Sequence, residues 1–259
     1  MRDAQGTFDP PMFGDVKTKT RFVGLDGCRN FRDLGGYDTH DGFTLPGVIY
    51  RSDSLHRLTD EDLDHVGYLG ISTVIDLRTP EEAAPAPARM PAGAVFLSIP
   101  TIDSTMNAPM TRPELDTIVD GYETVLRESM SQQAAALAAI ADADGAVVFC
   151  CTAGKDRTGL LAALALGLVG VDDDVIAADC ALSADVIDHI KAQIVAEDPE
   201  RAARWTTAAP DVMSATVDTM VTVLGRLRSR WGGFAGYAAA AGLEADTIDR
   251  LRTKLVHSL

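Results

Sequence analysis

The stretch that most constrains this chain is 146–170, AVVFCCTAGKDRTGLLAALALGLVG. It opens with five apolar, strand-forming residues and closes with an eleven-residue apolar run of helical character. The polar turn between them is Cys151-Thr152-Ala153-Gly154-Lys155-Asp156-Arg157-Thr158-Gly159. A buried strand passing through so short a turn into a buried helix points to an α/β domain with a mostly parallel sheet. The same turn has a chemical consequence. Where a tight loop enters a helix N-terminus, successive backbone N–H groups converge on one concavity that suits an anion. The helix dipole adds about half a positive charge there. Gly154 permits a conformation or a close approach that a Cβ would obstruct. Arg157, six residues after Cys151, is spaced to return over the cradle and grip two phosphate oxygens. A thiol so placed is expected to ionise well below its free pKa of ~8.5. Cysteine and arginine at this spacing are weak evidence alone; the strand before and the helix after make the pattern specific.

The rest of the chain agrees with that class. Short apolar runs at 48–50, 72–77, 94–99 and 146–150 read as strands. Helical spacing covers 58–69, with Thr59 as N-cap and Gly70 as its stop, and recurs at 113–128 and 131–143. After the fourth strand, helices are expected at 158–170, 173–196, 211–230 and 244–256. The expected fold is α/β, a central mostly parallel sheet flanked by helices, with a helical C-terminal half. No repeat, linker or change in composition divides the chain, so 25–259 reads as one domain behind a partly ordered arm, 1–24.

Charge and composition exclude several functions. Lys and Arg number 23 against 38 Asp and Glu, a net charge of −15. That balance argues against nucleic-acid binding and against permanent association with an anionic membrane. The longest apolar run, 160–171, is too short to span a bilayer, and residues 1–10 carry no apolar leader. A cytoplasmic protein is expected. Cys28, Cys150, Cys151 and Cys180 form neither a C-x-x-C pair nor a disulfide scaffold. The five histidines show no metal-ligand spacing, and Asp172-Asp173-Asp174 reads as the first turn of a helix. Neither G-x-S-x-G nor G-x-G-x-x-G occurs. No metal is expected.

The 151–159 turn resembles the signature loop of the cysteine-based protein tyrosine phosphatase superfamily, and its Gly-Lys-Asp-Arg-Thr-Gly form resembles the bacterial atypical branch. Asn30-Phe31-Arg32-Asp33-Leu34-Gly35-Gly36, Tyr50-Arg51-Ser52 and Val74-Ile75-Asp76-Leu77-Arg78 extend the likeness from about residue 25 to the C-terminus. The resemblance implies a phosphomonoester hydrolase without metal or organic cofactor. Cys151 would attack phosphorus and form a phosphocysteine, with Arg157 clamping the transition state. Thr152, Ala153, Gly154, Lys155, Thr158 and Gly159 would complete the substrate site, the Thr158 hydroxyl bonding the Cys151 sulfur. Implied substrates are a phosphotyrosine protein, with dual specificity or phosphoinositide activity in addition. Three carboxylates compete as general acid, in the order Asp156, Asp76, Asp103. Lys155 suits a second phosphate, a carboxylate or a phosphoinositide headgroup. Arg32, Arg51 and Arg78 are expected to pair with Asp33, Asp53 and Asp76.

Two positions depart from the family pattern. Cys150 stands where a histidine usually precedes the nucleophile, and Cys180 follows Asp179 where relatives often carry an aromatic. A Cys150–Cys151 redox pair is disfavoured, because neighbours on a strand point to opposite faces. The resemblance implies that residues 172–215 form a helical lid over the site, with Ile187, Ile190, Ile194, Trp205 and Met213 as apolar contacts at the pocket mouth; the alternative is that these residues are ordinary helix core. The competing reading is a phosphate-binding module without turnover.

Overall fold

The structure, a computed structural model, describes residues 21–102, 117–199 and 215–258. Asp103, Trp205, Met213, most of the N-terminal arm and the middle of the candidate lid therefore lie outside the described residues.

Five strands form the main sheet: β1 (Arg32–Asp33), β4 (Ile49–Ser52), β5 (Ile71–Asp76), β6 (Val95–Ser98) and β7 (Ala146–Cys150). Their order is β1-β4-β7-β5-β6; β4, β7, β5 and β6 run parallel and β1 is the antiparallel edge. The central strand, β7, is buried throughout, as its unbroken apolar sequence requires. Its side chains alternate: Val147 and Phe149 enter one core, while Ala146, Val148 and Cys150 enter the other. Cys151 belongs to the first core, so the adjacent thiols do part to opposite sides.

On the Cys150 face lie α1 (Asp60–Tyr68) and a short 3-10 turn at Leu55–Arg57. Thr59 caps α1 through a reciprocal bond with Asp62, and Gly70, at φ 72°, ends the segment. The opposite face carries α3 (Ile118–Glu128), α4 (Met130–Asp142) and α5 (Asp156–Leu168). It also carries α6 (Asp173–Ala181), α8 (Val217–Trp231), α9 (Phe234–Ala240) and α10 (Ala245–Leu255). The helix α5 is apolar all round and correspondingly buried on every side.

Several expectations need correction. The single helix expected at 173–196 is two, α6 and α7 (Ala184–Glu197), because Ser183 turns inward to bond Asn30 and Arg32. The helix expected from 211 begins at Val217, residues 211–214 lying outside the described ones. A hairpin of β2 (Asp38–Thr39) and β3 (Gly42–Thr44) joins β8 (Val256–Ser258) in a second sheet that sequence patterning missed. Among the described residues no helix is long and apolar enough to cross a membrane.

Candidate active site

The 151–155 turn leaves the C-terminal end of the central strand and enters α5, so the chain itself places the cradle at the crevice such sheets use for ligands. Three consecutive carbonyls of the turn are held from behind. Ser54 N–H donates to Thr152 O at 3.2 Å, Asn30 Nδ2 to Ala153 O at 2.9 Å and Arg51 Nη2 to Gly154 O at 2.8 Å. In a trans peptide the N–H points opposite the C=O. The amides of Ala153, Gly154 and Lys155 are therefore turned away from these donors, which makes an anion nest of the other side. Gly154 has φ 65°, and a Cβ there would lie 2.6 Å from the Asp53 nitrogen, so glycine is required on both counts.

Behind the turn lies buried charge. Asp179 on α6 accepts from Arg32 Nε at 3.1 Å, Arg51 Nη1 at 2.7 Å and Tyr37 Oη at 3.0 Å. All three charged side chains are fully buried. Burial works to raise the Asp179 pKa; the charges of Arg32 and Arg51 reverse this and hold it at about 2. The expected pairs Arg32–Asp33 and Arg51–Asp53 do not form. Asp33 instead accepts the Gly35 and Gly47 amides, and Asp53 those of Arg29 and Asn30. Asp33 directly follows Arg32 on the strand and so faces the other way, whereas Asp53 lies beyond the end of β4 with its carboxylate held by backbone amides. Arg78 does pair with Asp76, its Nε and Nη2 reaching both carboxylate oxygens at 2.6–3.0 Å. Asp76 is buried and engaged in that fork, which does not suit it to a proton donor for substrate.

The front of the turn carries Arg157 and Asp156. Arg157 Nη1 and Nη2 meet the Glu82 carboxylate at 2.5 and 3.0 Å, and Nη2 also reaches Thr152 Oγ1 at 3.2 Å. Burial works to lower the Arg157 pKa, and the adjacent Glu82 charge more than reverses that. Sequence reasoning missed Glu82. Its signal was present as Thr79-Pro80-Glu81-Glu82, a capping box whose reciprocal bonds form at α2 (Pro80–Ala83). Asp156 Oδ1 accepts from Tyr122 Oη at 2.7 Å and lies 2.8 Å from Lys155 Nζ. Lys155 is thus a buried cation already paired with Asp156, which does not suit it to the second phosphate, carboxylate or headgroup expected of it. The Thr158 hydroxyl is buried without a hydrogen-bond partner among the described residues, so the implied bond to the Cys151 sulfur is not made. Gly159, in the first turn of α5, donates its amide to Lys155 O at 2.9 Å. Cys150, buried on the far face, has its thiol pKa pushed well up by burial.

Above the turn, Ile187, Ile190 and Ile194 of α7 cluster with Ala153. Glu197, at the end of that helix, accepts a fork from Arg57 at 2.5 and 2.6 Å and faces His56 Nε2 at 3.3 Å.

Fold and site together define a phosphatase: the chain belongs to the tyrosine phosphatase family, whose model matches residues 23–257. Among its relatives is a tyrosine-protein phosphatase of Nostoc commune, 32% identical over 80% of this chain and 74% of that one. The triple specificity protein phosphatase PtpB of Mycobacterium tuberculosis is 28% identical over 90% of this chain and 98% of its own.

Proposed function

We propose that the enzyme hydrolyses phosphotyrosine in proteins through a phosphocysteine intermediate, with Cys151 as nucleophile, Arg157 as clamp and Asp156 as general acid. In the first step the Cys151 thiolate forms an S–P bond as the P–O bond to the leaving group breaks. Asp156 gives its proton to the departing oxygen, an assistance worth roughly 10²–10⁴ in rate. In the second step water attacks phosphorus, Asp156 takes its proton and the S–P bond breaks, releasing phosphate. Amides of Ala153, Gly154 and Lys155, with the Arg157 guanidinium, stabilise the charge on the transferring oxygens. The observation that carries this reading is the set of three loop carbonyls tied from behind, which turns the peptide dipoles toward an anion.

Asp156 takes the acid role ahead of Asp76 because Asp76 is locked in its fork with Arg78. Lys155, paired with Asp156, is not free to seek a second phosphate, which favours phosphoproteins over phosphoinositides. Dual specificity is the second reading, favoured by the name of the mycobacterial relative. Turnover of p-nitrophenyl phosphate tests the mechanism: Cys151→Ser and Arg157→Ala should each abolish it with the fold intact. Retention of more than a few percent of kcat by Cys151→Ser would refute the mechanism and return the non-catalytic reading. A panel of phosphotyrosine, phosphoserine and phosphothreonine peptides against phosphoinositides settles the substrate class.

A further inference from the structure

Tyr122 stands on α3, 34 residues before Asp156 in sequence, and no signature segment contains it. Its ring is buried in the larger core, yet its hydroxyl ends 2.7 Å from Asp156 Oδ1. Burial, then the neighbouring Asp156 charge, push the Tyr122 pKa well above the ordinary phenol value. The phenol therefore stays protonated and acts as a donor at any working pH. Lys155 Nζ approaches the same oxygen at 2.8 Å. Two donors converging on Oδ1 fix the rotation of the carboxyl group and leave Oδ2 to carry a proton. Among the described residues Oδ2 accepts no hydrogen bond, and the Asp156 side chain retains 23% of its exposure.

We propose that Tyr122 is a positioning residue for the acid: by occupying Asp156 Oδ1 it makes Oδ2 the oxygen that gives its proton to the leaving group. This rests on the reading of Asp156 as the acid. In the first step the proton on Oδ2 passes to the leaving oxygen as the P–O bond breaks and the S–P bond to Cys151 forms. Asp156 is left as a carboxylate, with the new charge stabilised at Oδ1 by Tyr122 and Lys155. Water returns the proton to Oδ2 in the second step. Tyr122 itself neither gains nor loses one.

The test is kcat/KM, which reports the first step, for phosphomonoesters of graded leaving-group basicity. Tyr122→Phe removes one oxygen and keeps the ring that fills the core. It should lose about tenfold toward phenyl phosphate, the loss expected for one hydrogen bond to a charged group, and less than twofold toward dinitrophenyl phosphate, whose oxygen departs unaided. Competitive inhibition by inorganic phosphate should not change. In an Asp156→Asn background the Tyr122→Phe effect should vanish. Uniform loss across leaving groups, or selective loss persisting without Asp156, would overturn the proposal while leaving Asp156 as the acid if Asp156→Asn is itself selective. If Asp156→Asn shows no dependence on the leaving group, the acid reading fails and this inference falls with it. Should Tyr122→Phe loosen α3, fluorotyrosine incorporated at Tyr122 keeps the hydroxyl and alters only its donor strength. It must then change phenyl phosphate turnover and leave dinitrophenyl phosphate alone; any other result overturns the proposal.

Discussion

The two sides of the phosphate loop are held by opposite strategies. Behind it, Asp179 joins Arg32 and Arg51 in a fully buried network, and Arg51 and Asn30 reach from there to loop carbonyls. In front, Arg157 and Asp156 are held by Glu82 and by Tyr122 with Lys155, and both keep some contact with solvent. Charge buried without solvent is costly unless its partners are complete, so the back resists movement and fixes the shape of the nest. In front the charges are only partly buried, so rearranging them costs less desolvation. Rigidity behind and adjustable charge in front are what a preorganised anion site needs.

The comparison predicts its largest effect at Asp179. Asp179→Asn leaves two buried guanidiniums without a counter-charge and should cost about 3–5 kcal/mol, read as loss of thermal stability together with activity. The effect also has a definite pH dependence. Because the folded pKa of Asp179 is depressed below the ordinary 3.8 to about 2, its stabilisation is complete above that ordinary value and is lost as pH falls toward 2. The stability gap between the wild type and Asp179→Asn should therefore hold from neutral pH to about 4 and close below it. A gap that widened on acidification would break the assignment of this charge.

A smaller and different effect is expected in front. Glu82→Gln keeps a residue able to complete the capping box with Thr79, so thermal stability should change little. Removing the charged partner of Arg157 should nonetheless lower kcat about 10–100-fold, and equally for all leaving groups if Arg157 acts on the phosphoryl oxygens as proposed. Tighter phosphate inhibition with undiminished kcat would instead make Glu82 a competitor for Arg157. The smallest effect belongs to the rim. Glu197→Gln weakens a partly exposed pair and should cost no more than ~1 kcal/mol of stability. Faster amide exchange in α7 with unchanged exchange in β7 would mark that helix as separately mobile over the loop; equal exchange in the two would make it ordinary core.

What the sequence revealed divides along the same line. The strand–turn–helix string exposed the architecture around Cys151 and Arg157, because all of it is local. The back of the loop was not legible. Arg32 and Arg51 meet Asp179 across sequence separations of 147 and 128 residues, a contact set by topology, and adjacency suggested Asp33 and Asp53 instead. The second sheet was not legible either. The β2–β3 hairpin turns through His40 and Asp41, a two-residue loop without the usual Asn-Gly or Asp-Gly pair in its turn, and the pairing of β3 with β8 joins segments far apart in the chain. Lys155 was misjudged because a sequence cannot show that its charge is already spent on its neighbour.

The most direct test of the whole account is to trap the phosphorylated enzyme. Rapid acid quenching during turnover of an isotopically labelled phosphotyrosine peptide, followed by proteolysis and mass spectrometry, locates the covalent phosphate. The account predicts one phosphoryl group on Cys151, accumulating within the first turnover and absent from Cys151→Ser. Label on any other residue, or full turnover with no covalent phosphate at any quench time, would contradict it.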